Sequence, residues 1–485
     1  LHWTAVPPIT AVSLLGQQYK MHPWILQYAV RVLEHFPVEH VFFYIPQMVQ
    51  ALRYDTVGYI EHFILSAART SQLFAHQIIW NMNANMYKFD KEGQADAPDS
   101  LKPTLERVQS KIIASLSGND KNFFEREISF FSEVTGISGK LKPLVERGAT
   151  KAEKKAKIDE EMDKVKVDVG VYLPTNPEGI ILDIDKKSGR PLQSHAKAPF
   201  MATFQVANTS NDNGASKELT PAATRWMSAI FKVGDDCRQD VLALQLISIF
   251  KSIFSKSGLD LYVFPYRVVA TAPGCGVIEV IPKSVSRDMM GREQVNSLYE
   301  WFIRSFGKED SVSFRQAQTE FIKSLAAYSV IMFLLQFKDR HNGNIMFDDD
   351  GHVVHIDFGF MLSIAPGGGI LEPAPFKLTH EMVQVLGGDA HTPKYRLFSQ
   401  LVVKAYLACR PYAEEIVQMV SLMMDSGLPC FRGDMTIRKL RERFLPGKTE
   451  RQAADFMVSC IRTSHENTRS GLYDRFQYIQ NGIPY

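Results

Sequence analysis

Over residues 1–165 the apolar positions recur at spacings of three and four, most clearly across 24–36 and 59–81, with Pro23, Pro37 and Pro46 at boundaries or first turns. The pattern predicts short paired helices stacked as a solenoid, although no clean fixed-period repeat is present. Phe42, Phe43, Tyr44 and Trp80 are its core candidates. Residues 92–100 are polar and contain Pro98, which predicts a mobile loop. Residues 140–166 are rich in Lys and Glu with few apolar anchors, and read as a solvated helix or linker. Glu153, Asp159, Glu160 and Glu161 offset the lysines there and weigh against a basic membrane-facing patch.

From residue 167 the period becomes strand-like. Runs at 169–173, 180–184, 201–206, 226–232, 261–266 and 276–281 predict strands, punctuated by Pro174, Pro177 and Ser188-Gly189. The polar stretch 209–219 predicts disorder, and 241–254 an apolar helix. Beyond Lys283 the chain reads as mostly helical, with a long buried helix over 314–337 carrying Phe321, Leu325, Tyr328, Met332 and Leu335. After it comes a hairpin signal: apolar Ile345 to Phe347, the turn Asp349-Asp350-Gly351, and β-branched residues to Ile356. The fold class is therefore α+β. A helical, solenoid-like domain with a linker occupies 1–165, a region built on a five-stranded sheet 166–282, and a largely helical region 283–485.

Composition narrows the function classes. The net charge of +2 supports no nucleic-acid reading. Five cysteines lie far apart and form no paired motif, which fits a reducing, cytosolic setting. The longest apolar run, about 326–335, is too short to span a bilayer. The chain opens without methionine or a signal-peptide pattern, and is expected to be a piece of something longer.

The chemistry concentrates at the predicted hairpin. Two polar clusters flank it, DRHNGN from Asp339 to Asn344 and DFG from Asp357 to Gly359. Antiparallel pairing brings Asn344 beside Asp357, and a carboxylate with an amide oxygen suits Mg²⁺. Asp339 and His341 sit just upstream, where a base for an attacking hydroxyl is needed. This is the plan of a kinase catalytic loop with the usual His-Arg-Asp order reversed. The plainer reading is a β-hairpin with acidic turn residues. A zinc site from His341, His352 and His355 fits no zinc spacing and has no cysteine nearby. Lys232, near the end of a predicted strand, is the candidate phosphate lysine, with Asp240 at the start of the next helix as its orienting acid. A surface Lys-Asp pair is the alternative there.

DRHNGN followed by HIDFG resembles the phosphatidylinositol 3-/4-kinase superfamily. Lys338, directly before the Asp-Arg-His, resembles the 4-kinase branch, where the 3-kinases typically carry glycine. FKVGDDCRQD from Phe231, the stretch from Val171 to Phe200, and the ending QNGIPY are similar to the type III alpha group of 4-kinases; residues 41–55 resemble the helical domain that precedes the lipid-kinase domain. The resemblance implies a helical domain followed by a two-lobed lipid-kinase catalytic domain, with lobes at 166–282 and 283–485. It implies ATP-dependent phosphorylation of the inositol 4-hydroxyl of phosphatidylinositol, with Mg²⁺ or Mn²⁺ on Asn344 and Asp357. Asp339 and His341 activate or position the hydroxyl, with the base left open between them, and Arg340 supports their loop. Residues 193–199, with Ser194 and Lys197, take the place of the phosphate-covering loop. Lys232 and Asp240 align the phosphates, Tyr266 lines the nucleotide pocket, and Glu279, Val280 and Ile281 match the hinge that binds adenine through backbone groups.

The segment 360–376 has no Lys or Arg, which argues for a headgroup without free phosphate monoesters. Lys377 contacts the phosphodiester or is structural, and Ile364, Ile370 and Leu371 could touch lipid; a connector with no reading function is the alternative. Leu472, Phe476, Ile479 and Ile483 share a helical face that lies on a membrane or docks on the kinase domain. The resemblance further implies a cytoplasmic enzyme peripheral to the plasma membrane, in a scaffold with a tetratricopeptide adaptor and a hyccin-like protein. Two rivals stand beside it: a 3-kinase-related protein kinase, and a non-catalytic scaffold with a kinase fold.

Overall fold

In the computed structural model, which describes residues 3–89, 95–192, 198–208, 224–369 and 373–467, the chain divides into two units. The N-terminal unit runs to Val241 and includes Tyr266–Val280 and Asp425–Gly427. The C-terminal unit holds Leu242–Pro265, Ile281–Met424 and the chain from Leu428 onward.

The N-terminal unit opens with α1 (Pro8–Ser13), α2 (Pro23–Glu34), α3 (Val38–Val41), α4 (Ile45–Ala51), α5 (Tyr59–Thr70) and α6 (Gln72–Ala84). The single run expected over 59–81 is two helices. Ser71 is extended, and its hydroxyl accepts the Phe74 N–H at 3.2 Å, so it ends one helix and caps the next. Trp80 is core, but Phe42, Phe43 and Tyr44 are only half-buried, because they form a tight 3₁₀ turn that cannot aim all three rings inward. The loop expected over 92–100 is in part ordered: β1 (Tyr87–Phe89) pairs antiparallel with β2 (Ala95–Pro98). α7 (Lys102–Ser115), α8 (Gly118–Glu146) and α9 (Lys151–Lys164) follow.

The largest correction concerns α9, which is no linker. Thr150 and Glu153 cap it reciprocally. Lys164 pairs with Glu160 on the outer face and Lys157 reaches the buried Glu161, while Ile158 and Met162, with Val165 just beyond, are buried among Val134, Ile184 and Phe200. Three apolar residues at helical spacing suffice, because a sheet face lies opposite them.

That sheet has six strands, in the order β3-β4-β5-β6-β8-β7. They are β3 (Tyr172–Leu173), β4 (Asn176–Pro191), β5 (Phe200–Asn208), β6 (Thr224–Val233), and, after α10 (Arg238–Lys256), β7 (Val268–Ala272) and β8 (Cys275–Glu279). Ser188-Gly189 does not end a strand as expected. It lies in a bulge of β4, where the register jumps between Asp185 and Arg190. A Cβ at Gly189 would come within 2.3 Å of the Ile158 side chain, so glycine is what lets α9 pack there. The strand expected over 261–266 does not form. Pro265 has no N–H to offer, and the Phe264 N–H goes to the Tyr328 hydroxyl at 3.2 Å, so pairing begins only at Val268.

The C-terminal unit continues with β9 (Ser284–Ser286), α11 (Arg287–Arg292), α12 (Leu298–Phe306) and α13 (Val312–Leu335). α13 is capped by Ser311, is buried along its second half and ends at Gln336 in the left-handed conformation. β10 (Ile345–Asp348) and β11 (Val353–His355) form the expected hairpin, and β10 also pairs β9. The hairpin lies on α13: the Val353 N–H donates to Ser324 Oγ at 2.9 Å. At the turn, Gly351 has φ +93°, and a Cβ there would meet the Ala317 carbonyl at 2.8 Å, so both backbone and space demand glycine. The rest is helical: α14 (His380–Val385), α15 (Pro393–Cys409), α16 (Ala413–Ser421), α17 (Asp434–Glu442) and α18 (Glu450–His465). No helix of the described residues is long and apolar enough to cross a membrane.

The packing of α9 generates a direct test. Ile158→Ala should destabilise the protein by about 2–4 kcal/mol in urea unfolding, the cost of a buried cavity. A solvated linker would leave the midpoint where it was.

Candidate active site

In the C-terminal unit the loop between α13 and β10 is stitched to the chain leaving β11. The Lys338 N–H donates to the Phe360 carbonyl at 3.0 Å, and the Leu362 N–H to the Leu335 carbonyl at 2.7 Å. Between these ties lies Arg340, 2% exposed. Its Nε donates to the Lys338 carbonyl at 2.9 Å, Nη1 to the Ile356 carbonyl at 2.7 Å, and Nη2 to the Asp357 carbonyl. A guanidinium that holds three carbonyls braces the loop.

The hairpin register pairs Ile345 with His355, and the Ile356 N–H donates to the Asn344 carbonyl at 3.1 Å. The expected pairing of Asn344 with Asp357 is therefore off by one: Asn344 lies across from Ile356, because the register is set from Ile345 and His355, and Asp357 follows one residue on. Asp339 and Asp357 both hold left-handed backbones, at φ +61° and +60°. Aspartate tolerates that region better than most residues, yet each such conformer still costs about 1–3 kcal/mol. The strain falls on the two carboxylates that carry the candidate chemistry.

His341 is oriented by its own loop. The Gly343 N–H donates to its Nδ1 at 3.1 Å, and its Nε2 lies 4.0 Å from Asp339 Oδ2. Burial lowers the basicity of the ring first. Arg340 and Lys377 push the same way, and Asp339 and Asp357 oppose them. The ring is thus neutral near pH 7, with its lone pair on Nδ1 occupied and its hydrogen on Nε2. The Asn344 Nδ2 donates to the Asp339 carbonyl at 2.9 Å, which leaves the amide oxygen as the end of that side chain able to accept. Asp357 Oδ1 accepts the Gly359 N–H at 3.3 Å. Lys377 is 5% exposed, and its charge bears on both His341 and His355. Lys338, also buried, donates from Nζ to the Ala374 carbonyl at 2.9 Å, tying the loop to the far end of the 361–376 segment.

In the N-terminal unit Lys232 stands on β6 opposite Gly276, and its Nζ is 3.3 Å from Asp235 Oδ2. Asp235 escaped the sequence reading, although an acid three residues after the lysine was the available signal. Asp240 lies in the first turn of α10. Burial raises the Cys237 thiol far above its ordinary value, and the charges of Lys232, Asp240, Asp235 and Asp236 all act on it, so the four share one neighbourhood. Tyr266 is buried. The Glu279 main-chain N–H donates to the Arg267 carbonyl at 2.8 Å, and its carboxylate accepts the Arg267 N–H at 2.8 Å. The side chain at this position therefore has a task that a backbone-only reading overlooks. The Val280 N–H reaches the Ser228 carbonyl at 3.4 Å, and in the C-terminal unit Ile281 accepts from Ser284 Oγ at 2.9 Å. Ser194 and Lys197 lie outside the described residues, as do Ile370, Leu371 and the helix expected over 472–483.

His352, at the start of the return strand, is braced on both nitrogens. Nδ1 is 2.8 Å from Asp348 Oδ2, Nε2 is 3.3 Å from Glu320 Oε2, and the ring stacks on Tyr262 with centroids 3.5 Å apart. Burial alone would lower its affinity for a proton, but the two carboxylates together raise it.

Residues 226–433 match the family model of phosphatidylinositol 3- and 4-kinases, and residues 1–124 that of the phosphoinositide 3-kinase family accessory domain. The chain is similar to phosphatidylinositol 4-kinase stt4 of Schizosaccharomyces pombe, 57% identical over 499 residues covering 100% of this chain and 26% of that protein. It is similar to the putative phosphatidylinositol 4-kinase alpha-like protein P2 of Homo sapiens, 42% identical over 444 residues, 84% of this chain and 74% of that protein. Phosphatidylinositol 4-kinase alpha 2 of Arabidopsis thaliana is 43% identical over 430 residues, 87% of this chain and 78% of its own length. The chain thus spans about a quarter of the Schizosaccharomyces pombe relative.

The His352 brace sets a pH dependence with a definite sign. Its folded proton affinity lies above the ordinary 6.5, so its stabilisation is complete below that value and fades as pH rises through the raised one. For Asp348, burial raises the carboxyl but the His352 contacts outweigh it, and the net shift is below the ordinary 3.8. Its stabilisation is complete above that value and fades as pH falls through the lowered one. The stability gap between wild type and His352→Phe should therefore peak between about pH 4 and 6.5 and narrow toward alkaline pH in denaturant titrations. A gap independent of pH would remove the ionic account of the brace.

Proposed function

Because the chain belongs to the alpha branch of the phosphatidylinositol 4-kinase family, we propose that it transfers the γ-phosphoryl group of ATP to the 4-hydroxyl of phosphatidylinositol. The observation that carries this reading is the arrangement at one end of the hairpin. Asp339 and His341 face one another at 4.0 Å, while Asn344 and the chain entering Asp357 lie across one strand register.

The geometry also divides the labour. The Nδ1 lone pair of His341 is taken by the Gly343 N–H and the ring is neutral, so His341 is a hydrogen-bond donor from Nε2 rather than a base. Asp339 then accepts the proton of the inositol hydroxyl as its oxygen bonds to the γ-phosphorus and the bond to the β-phosphate oxygen breaks. His341 Nε2–H meets the charge on the group in transfer. Arg340 keeps both in register, and Lys377 adds a positive charge to the same surroundings.

Mg²⁺, or Mn²⁺ in its place, fits the donor set. Asn344 offers its amide oxygen because its nitrogen is engaged, and Asp357 offers a carboxylate. No cluster of three or more His, Cys, Asp or Glu side chains suited to a metal occurs among the described residues, so nucleotide phosphates and water would supply the remaining ligands. When bound, such an ion neutralises phosphate charge. For the nucleotide we assign Lys232 with Asp235 and Asp240 to the phosphates, together with Ser194 and Lys197. Tyr266 and Glu279, Val280 and Ile281 receive the adenine. The absence of Lys or Arg between Gly359 and Lys377, and the burial of Lys377 itself, favour an unphosphorylated headgroup. A cytoplasmic enzyme peripheral to the plasma membrane, held by a tetratricopeptide adaptor and a hyccin-like protein, extends this reading on the resemblance alone.

Radiolabelled ATP turnover on phosphatidylinositol vesicles, with product isomers resolved and a peptide acceptor in parallel, tests it. Wild type should give the 4-phosphate. Asp339→Asn should lower turnover by about 10²–10⁴-fold, the range for a lost general base, and Asp357→Ala should abolish it. Formation of the 3-phosphate would overturn the branch assignment, and peptide labelling without lipid labelling would favour a protein kinase.

A further inference from the structure

The reaction gives the N-terminal helices no task, yet a buried cation joins them to the lysine-bearing loop. Arg238, 6% exposed, opens α10 two residues before Asp240. Its Nε and Nη2 grip the Asp236 carboxylate at 2.9 and 2.7 Å, and its own N–H donates to Asp236 Oδ1 at 3.1 Å. The third nitrogen, Nη1, leaves the loop. It donates to Asn85 Oδ1 at 3.0 Å and to the Ser426 carbonyl at 3.2 Å.

Asn85 closes α6, and its amide is held from both sides. Oδ1 also accepts Gln50 Nε2 of α4 at 2.8 Å, while Nδ2 donates to the Asn81 carbonyl at 2.7 Å. Gln50 in turn accepts from Arg53 at 2.9 Å, and Arg53 pairs with Asp99 at 2.6 Å. Tyr54 bonds Asp425, the neighbour of Ser426. Beside this line of polar contacts Ala84 of α6 packs directly on Cys237 and Ala270. Cys237 is the thiol on which Lys232, Asp235, Asp236 and Asp240 act together. A continuous set of buried and half-buried hydrogen bonds therefore runs from Asp99 through Arg53, Gln50, Asn85 and Arg238 to Asp236, next to Asp235, which pairs with Lys232.

We propose that Arg238 is a positioning residue for Lys232, and that through Asn85 it makes ATP affinity depend on how α4 and α6 seat against the sheet. The inference rests on Lys232 being the phosphate lysine. A buried guanidinium must keep its acceptors. If Asn85 Oδ1 is removed, Nη1 loses the shorter of its two bonds, and Arg238 shifts toward the Ser426 carbonyl, carrying Asp236 and the loop to Asp235 with it. Lys232 then loses its aim without any change at Lys232 itself.

The test is a direct titration of the full chain with a fluorescent ATP analogue, without lipid, alongside steady-state kinetics. Asn85→Ala and Arg238→Lys should each weaken nucleotide binding about tenfold, a typical coupling within one network. The double variant should be no weaker than the worse single one. Ile64→Ala, a cavity in α5, should lower Tm at least as much while leaving affinity within about twofold. KM for ATP should rise with KM for phosphatidylinositol unchanged. Variants that bind the analogue as wild type does, or losses that follow Tm in every variant including Ile64→Ala, would overturn the inference and leave the kinase reading standing. Wild type that binds no nucleotide would overturn both.

Discussion

Arg340 is the constraint on which the C-terminal site depends. A guanidinium cannot be buried without acceptors, and the acceptors here are carbonyls of Lys338, Ile356 and Asp357, from both sides of the hairpin. Satisfying them fixes where the loop after α13 stands relative to the chain leaving β11. Asp339 and Asp357 can hold left-handed backbones because this brace, with the Lys338–Phe360 and Leu362–Leu335 bonds, over-determines their surroundings. The main chain under the two candidate carboxylates is braced by these bonds, and Asp357 Oδ1 adds the Gly359 N–H to them.

The same economy of polar groups separates the two histidines of the return strand. His352 has a carboxylate on each nitrogen and favours its charged form. His355, three residues on, is wholly buried beside Arg340 and Lys377, and burial with those two charges keeps it neutral. Neither nitrogen of His355 has a partner among the described residues. Alternate positions of a short strand thus face opposite electrostatic conditions. The difference comes from the neighbours of each: Asp348 and then Glu320 for His352, and Arg340 and Lys377 for His355.

In the N-terminal unit, packing does what ionic contacts do in the other. α8 and α9 bury one face of the sheet, with Phe130, Val134, Ile158 and Met162 against Ile184, Phe200 and Phe204. Each fully buried aliphatic side chain there contributes about 1.5–3 kcal/mol. The paired Lys and Glu residues on the outside of α9 contribute little by comparison. Polar contacts matter in this unit chiefly where water is excluded, as at Arg238 and Asn85.

By itself the sequence determined most of the helices and strands, the existence of the hairpin and the residue types at its end, but not its register, which lies one residue from the expected Asn344–Asp357 pairing. What it did determine follows from local rules. A period of two or of three to four residues records which face is buried, and Asp-Asp-Gly makes a turn wherever it stands. It also limited the chemistry to hard oxygen ligands and a base. Other features were invisible until distant segments met. The lysine-rich α9 looked like a linker because three apolar residues in a charged stretch say nothing until a sheet lies opposite them. The stretch 261–266 looked like a strand because its composition is that of one, but its neighbours are α13 and the hairpin, which pair no ladder with it. The proposal of Asp339 as acceptor and His341 as donor turns on one N–H from Gly343 and on burial. The carbonyls that Arg340 holds and the line from Asn85 to Arg238 belong to the tertiary structure alone, because a buried polar group takes its meaning from the partners that folding brings to it.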